Sequence, residues 1–208
     1  MKLSAYIITV DFGFAPNPFG RYCTLACCKP TIRRMAEQDD IVVACASSRS
    51  AAPGRLVYAM RVKNVIPYQK YWRDSRYAPR KPSMKTAISR RGDNIWHQDR
   101  AGQWQVCPGA CHDASQRDRD IGGVNALVAT EFFYFGRSAI PIPSRFADLL
   151  AQTQGHKNTY DRQKIGHFWE WISKVAPRAG RIDLPSDFTE DGCRRQNSQI
   201  EPDDIEET

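Results

Sequence analysis

Four segments are apolar at nearly every position, and they constrain the fold more than anything else in the chain. Residues 3–10 read LSAYIITV. In an extended chain Leu3, Ala5 and Ile7 fall on one side and Tyr6, Ile8 and Val10 on the other, so this is a strand buried on both faces. DDIVVACAS (39–47) is an acidic turn followed by a second buried strand. GRLVYAMRVKNVI (54–66) reads as one long strand, with Leu56, Tyr58, Met60 and Val62 on a common face. VNALVATEFFYFG (124–136) is another. Two shorter strands, in DNIWH and WQVC, flank the turn QDRAGQ and suggest a hairpin.

Helical signals are fewer. Ile165, Phe168, Trp169 and Ile172 recur at helical spacing and predict a helix from Asp161 to Val175. A shorter helix is expected over Ser144–Gln152. Thr31 is expected to cap a helix over IRRMAEQ (32–38). Pro16 and Pro18 make FAPNPF a rigid loop expected to hold Asn17 outward. Many strands with few long helices predict an α+β fold, either a small barrel or a strongly curved mixed sheet with flanking helices.

The chain has 208 residues, enough for one domain with a real core. A single domain is expected over residues 1–188, followed by an acidic tail at 189–208 expected to be disordered. The formal charge is +7, and Glu201, Asp203, Asp204, Glu206 and Glu207 all lie in that tail, so the body is more basic still. A basic body favours a polyanionic partner. No run of about 18 apolar residues is present, so no membrane span is expected. The N-terminus lacks the continuous apolar stretch of a signal peptide, and a cytoplasmic location is expected. Seven cysteines, an odd number, do not suggest a closed disulfide framework.

Several groups of residues bear on chemistry. Cys23, Cys27 and Cys28 have C-x3-C-C spacing, and Cys107, Cys111 and His112 have C-x3-C-H spacing. Neither repeats a CxxC pair, so no metal is expected. Cys28 precedes Lys29 and a helix start, which makes it the best nucleophile in the chain. Asp93, His97 and His112 are the acid–base residues to expect if the protein is an enzyme. There is no P-loop and no GxGxxG, and no cofactor is expected. Residues 68–92 interleave Lys and Arg with Tyr68, Tyr71, Trp72 and Tyr77, a pattern that suits phosphates and unstacked bases.

The motifs YIITVDFGFAPNPFGRYCTLACCKPTIRR, DDIVVACAS, GRLVYAMRV, YWRDSRY, RRGDNIWH and TEFFYFGRSAIPIP, in this order, resemble the nucleotide modification associated domain, type two. The resemblance runs from Leu3 to Phe188. It implies work on nucleic acid or nucleotides beside base-modifying enzymes, and it defines no reaction. A looser similarity joins QDDIVVACASS and GRLVYAMRV to base-reading domains of PUA and EVE type, which implies a PUA-like barrel.

The function to expect is therefore binding of nucleic acid or a nucleotide in DNA base modification or phage defence, through a modified or extruded base. The phosphate and base contacts expected are Asn17, Cys28, Lys29, Arg33, Arg34, Trp72, Arg73, Arg76, Tyr77, Arg90, Arg91, Asn94 and Trp96. The partners expected are DNA or a modified nucleotide and other proteins of a modification or defence system, with no membrane. The alternative is an enzyme that modifies, or removes a group from, a nucleobase or nucleotide.

Overall fold

The apolar segments 3–8 and 41–46 lie side by side and parallel, Leu3 opposite Ile41 and Ile8 opposite Ala46. The computed structural model describes residues 1–151, 155–191 and 193. Its strands are β1 (Leu3–Ile8), β2 (Cys23–Leu25), β3 (Ile41–Ala46), β4 (Leu56–Arg61), β5 (Asn64–Pro67), β6 (Trp96–Gln98), β7 (Trp104–Val106), β8 (Asn125–Ala129), β9 (Glu131–Tyr134), β10 (His156–Thr159) and β11 (Gly180–Arg181). The α-helices are α1 (Pro30–Met35), α2 (Tyr68–Arg73), α3 (Arg117–Ile121) and α4 (Arg162–Val175).

Six strands form one mixed sheet in the order β10-β1-β3-β4-β9-β11. Three form a second, antiparallel sheet in the order β2-β8-β5, and β6 and β7 form the expected hairpin. The class is mixed α+β, and among the described residues the strands close no barrel.

The sheets stack in layers. Leu3, Ala5, Ile41, Val43 and Phe133 face Ile165, Phe168, Trp169 and Ile172 of α4. Each buried Leu, Ile, Val or Phe side chain here contributes roughly 1.5–3 kcal/mol. Tyr6, Ile8, Val42, Tyr58 and Met60 point the other way, against Cys23, Leu25 and Leu127 of the three-stranded sheet. That sheet's far side packs Ala126 and Val128 on Tyr68 and Tyr71 of α2 and on Trp96. This third cluster carries the candidate site.

Two long strands expected from the sequence are each split between the sheets. At residues 62–63 the hydrogen bonds change partner. Val62 N donates to Asp40 O, whereas Lys63 N donates to Val128 O, both at 2.8 Å. So β4 stays in the large sheet and β5 enters the small one. β8 and β9 divide in the same way at Thr130. The segment 144–149 is a 3-10 helix rather than an α-helix, and Gln152 lies outside the described residues. In α1, Lys29 rather than Thr31 is the N-cap, and Pro30 occupies the first turn, where its missing N–H costs nothing.

Beyond Pro185 the chain still touches the body. Asp187 N donates to Asp11 O, Thr189 O accepts from Arg91, and Cys193 forms a disulfide with Cys111. The tail from 194 onward lies outside the described residues. Among the described residues no helix is long and apolar enough to cross a membrane.

Candidate active site

The turn from β2 into α1 takes an unusual path. Cys28 and Lys29 are consecutive non-glycine residues with φ of 57° and 43°. A left-handed residue of this kind costs on the order of 1–3 kcal/mol and persists only where its surroundings hold it. They do. Cys28 N donates to Asp120 Oδ1 at 2.7 Å, and Cys28 O accepts from Arg33 Nε at 2.5 Å. The turn thus presents a half-buried thiol.

His112 meets that thiol. Its Nε2 lies 3.7 Å from Cys28 Sγ, and its Nδ1 lies 2.6 Å from Asp120 Oδ2. An ionised carboxylate only accepts, so the Nδ1 hydrogen points to Asp120 and Nε2 is left facing sulfur. The ring edge also rests on Phe14, centroids 4.7 Å apart. Asp120 is fully buried on α3. Trp96 Nε1 donates to its Oδ2 at 2.9 Å. Burial opposes charge on His112, but Cys28 and the Asp120 hydrogen bond outweigh it and lift the pKa to about 10. Burial likewise opposes the Asp120 charge, but the His112 hydrogen bond and charge, the Cys28 amide and the Trp96 indole together outweigh it and lower that pKa.

Behind the turn, Arg33 acts as a staple. It is fully buried and donates to Cys28 O, Tyr68 Oη, Asn125 O and Asp120 O. The staple fits because residue 123 is glycine: a Cβ there would lie 2.3–2.5 Å from the guanidinium.

Cys27, His112 and Asp120 also place one ligand-type atom each within 4.8 Å of one another. Cys27 Sγ donates to Asp93 O at 3.6 Å, and burial pushes its thiol pKa well up. Asp120 accepts hydrogen bonds on both oxygens. His112 also meets the Cys28 thiol and is held by Asp120, and a thiol, an imidazole and an orienting carboxylate form an arrangement that can activate a cysteine nucleophile.

A model of the family described as nucleotide modification associated domain 2 matches residues 1–192. The chain belongs to this family. No curated protein and no solved structure matches it.

Within this nucleotide modification associated domain, the other residues singled out in the sequence lie apart from the Cys28–His112–Asp120 cluster or pack around it. Asn17 does not point outward. It is buried, donates to Arg91 O at 2.7 Å and accepts from Arg80. Arg91 is fully buried, with Phe12 O, Ala87 O and Thr189 O as acceptors. Arg33 and Arg91 therefore spend donors on carbonyls, and Arg33 on the Tyr68 hydroxyl as well, and both are buried away from solvent. Asp93 is fully buried and holds Thr24 and Tyr71 hydroxyls. Desolvation raises its pKa. Asn94 is buried with its amide on Tyr71 O and Tyr77 O, and Tyr77 is buried too. Trp96 offers its indole N–H to Asp120 and no exposed face for stacking.

His97 stacks on Trp72, ring centroids 4.1 Å apart, and Lys81 Nζ stands 3.6 Å from the Trp72 centroid. Burial, with Lys81 next, lowers the His97 pKa. Lys29 Nζ lies over the Tyr6 ring at 5.1 Å. Arg34 is exposed and donates to Gly122 O, Arg76 pairs with Asp74 at 2.6 Å, and Arg90 donates to Glu190 O. Arg73 is exposed.

Of the residues singled out, Cys28 and His112 are brought together. Asp120 was missed. Its only signal in RDRDIGG is its place on α3, where Asp118 faces solvent and Asp120 faces in.

Proposed function

We propose that this protein is a cysteine-dependent enzyme that modifies, or removes a group from, a nucleobase or nucleotide. One observation carries the reading: His112 Nε2 faces the half-buried Cys28 thiol while its Nδ1 is pinned to buried Asp120. The family description supplies the nucleotide context.

In this reading the Cys28 proton already rests on His112 Nε2, in keeping with the raised His112 pKa, and Asp120 stabilises the imidazolium. The thiolate attacks an electrophilic sp² carbon, forming a C–S bond as the π pair moves to the attached heteroatom. When that pair returns, His112 gives its proton to the leaving amine or alcohol. Water, deprotonated by His112, then releases the second product and restores the thiol. In this reading the electrophilic carbon belongs to a modified or extruded base, or to a group carried on one. The exposed cations Lys70, Arg73 and Lys85 of the basic segment would contact the phosphates of its polymer.

The test uses the whole protein with modified mononucleotides and with phage DNA carrying base modifications. Intact-mass analysis should find a covalent adduct on Cys28 or released product, and Cys28→Ala should give neither. Turnover undiminished in Cys28→Ala sinks the proposal. Affinity for DNA without turnover in either protein supports a base-reading module instead.

A further inference from the structure

Two consecutive cysteines approach the same imidazole. Cys28 Sγ lies 3.7 Å from His112 Nε2, and Cys27 Sγ lies within 4.8 Å of a His112 ring nitrogen and of an Asp120 carboxylate oxygen. A tetrahedral zinc ion, with bonds of about 2.3 Å to sulfur and about 2.0 Å to nitrogen, sets such atoms roughly 3.5 Å apart. The Cys28–His112 pair is already near that spacing, and Cys27 needs a shift of about 1 Å to join it. Neighbours in a strand point to opposite faces. The left-handed turn at Cys28 and Lys29 is what lets both thiols reach one ring.

The support behind the ring also suits a metal. A ligating histidine almost always gives its other ring N–H to a carboxylate, which fixes the ring and raises its basicity. His112 Nδ1 gives its hydrogen to Asp120 Oδ2 at 2.6 Å. The Cys28 amide and the Trp96 indole hold that carboxylate in turn. Half-buried Cys28 provides a way in from solvent.

We infer that Cys27, Cys28 and His112 bind one divalent ion of the zinc class, and that the ion silences the nucleophile by occupying its sulfur. The ion site stands on geometry alone; the silencing rests on the nucleophile reading proposed above. The ion displaces two protons, the Cys27 thiol proton and the one shared by Cys28 and His112, and the two thiolates cancel its charge. Cys27 gives up its weak bond to Asp93 O. Because burial favours the protonated Cys27 thiol, uptake depends steeply on pH.

The experiment takes the intact protein, freed of metal by a chelator, and adds Co²⁺ as a spectroscopic stand-in for Zn²⁺. A single equivalent should give thiolate-to-cobalt charge transfer and the intense d–d bands of a four-coordinate ion, and Zn²⁺ should bleach both. Affinity for Zn²⁺ should rise roughly a hundredfold between pH 6 and 7, about tenfold for each proton released. Equimolar Zn²⁺ should slow iodoacetamide at Cys28 by about tenfold or more, since a metal-bound thiolate is no longer a free nucleophile. Peptide mass spectrometry separates Cys28 from half-buried Cys107. In Cys27→Ser the same addition should leave that variant's own rate unslowed.

A missing charge-transfer band overturns the inference, and fast alkylation of the metal-free protein then leaves the nucleophile reading intact. An unaltered cobalt spectrum in Cys27→Ser overturns it as well, as does Zn²⁺ that binds without slowing Cys28. A cobalt spectrum in a protein whose metal-free Cys28 reacts no faster than glutathione upholds the ion site and removes the silencing together with the nucleophile reading. The wild-type spectrum and the protection by Zn²⁺ decide even where the variant does not fold.

Discussion

The Nε2 atom of His112 lies 3.7 Å from the Sγ of Cys28, across 84 residues of chain. Such an imidazole governs how readily the thiol reacts. His112→Gln should slow alkylation of Cys28 by iodoacetamide at pH 7 by about tenfold, an order typical of losing the base beside a thiolate. Rates that match wild type would remove His112 from the chemistry.

Asp120 collects three donors: Cys28 N–H, the Trp96 indole and the His112 ring. An asparagine at 120 would turn one amide N–H toward a donor and leave it unsatisfied. Asp120→Asn should therefore cost about 1–3 kcal/mol in urea unfolding. It should also drop the His112 pKa from its raised value toward 6.5, read from the imidazole C–H signals by NMR. An unchanged titration would mean that Asp120 does not hold the ring.

Gly123 faces the Arg33 staple, and a Cβ would come within 2.5 Å of the guanidinium. Gly123→Ala should push Arg33 off the Cys28 and Asp120 carbonyls and destabilise the fold by about 1–3 kcal/mol, the usual range for overpacking. Cys28 alkylation should slow at the same time, since the turn that presents it loses a support. Loss of stability with unaltered Cys28 reactivity would show that Arg33 supports the fold and not the site.

Burial raises the pKa of Asp11 from 3.8 to about 6, against the opposing hydrogen bond from Tyr134. Between those values the folded protein keeps a proton that the unfolded chain has lost. Stability therefore falls as pH rises through this window and levels off above about 6. At 1.36 kcal/mol per pH unit the cost is about 3 kcal/mol. Asp11→Asn should gain by about that much on wild type between pH 3.5 and 7 in urea titrations. Parallel profiles for the two proteins would contradict a buried titrating carboxylate.

Much of the fold is legible in the residue pattern. Two-sided apolar runs become β1, β3 and β4, and Ile165, Phe168, Trp169 and Ile172 become the inner face of α4. The sheet change at residues 62–63 is not legible, because it depends on which carbonyl, Asp40 or Val128, each amide meets. The basic residues misled for a related reason. Arg33 and Arg91 read as phosphate contacts by charge, yet buried guanidiniums satisfied by backbone carbonyls have the same letters. Cys28 and His112 stood out singly. Their union with Asp120 depends on the tertiary fold, since Asp120 stands out only by what it touches.

The triad is spread widely along the chain, with Cys28 separated by 84 residues from His112 and by 92 from Asp120. A ribosome makes the thiol early and its base and orienting carboxylate much later. Contacts at such sequence distance form late in folding, and synthesis at roughly 5–20 residues per second puts several seconds between the two ends. Through that interval the nascent chain carries an ordinary cysteine. On the function proposed above, the nucleophile is armed only when β2, α1 and α3 have docked, so chemical reactivity would serve as a report of completed folding.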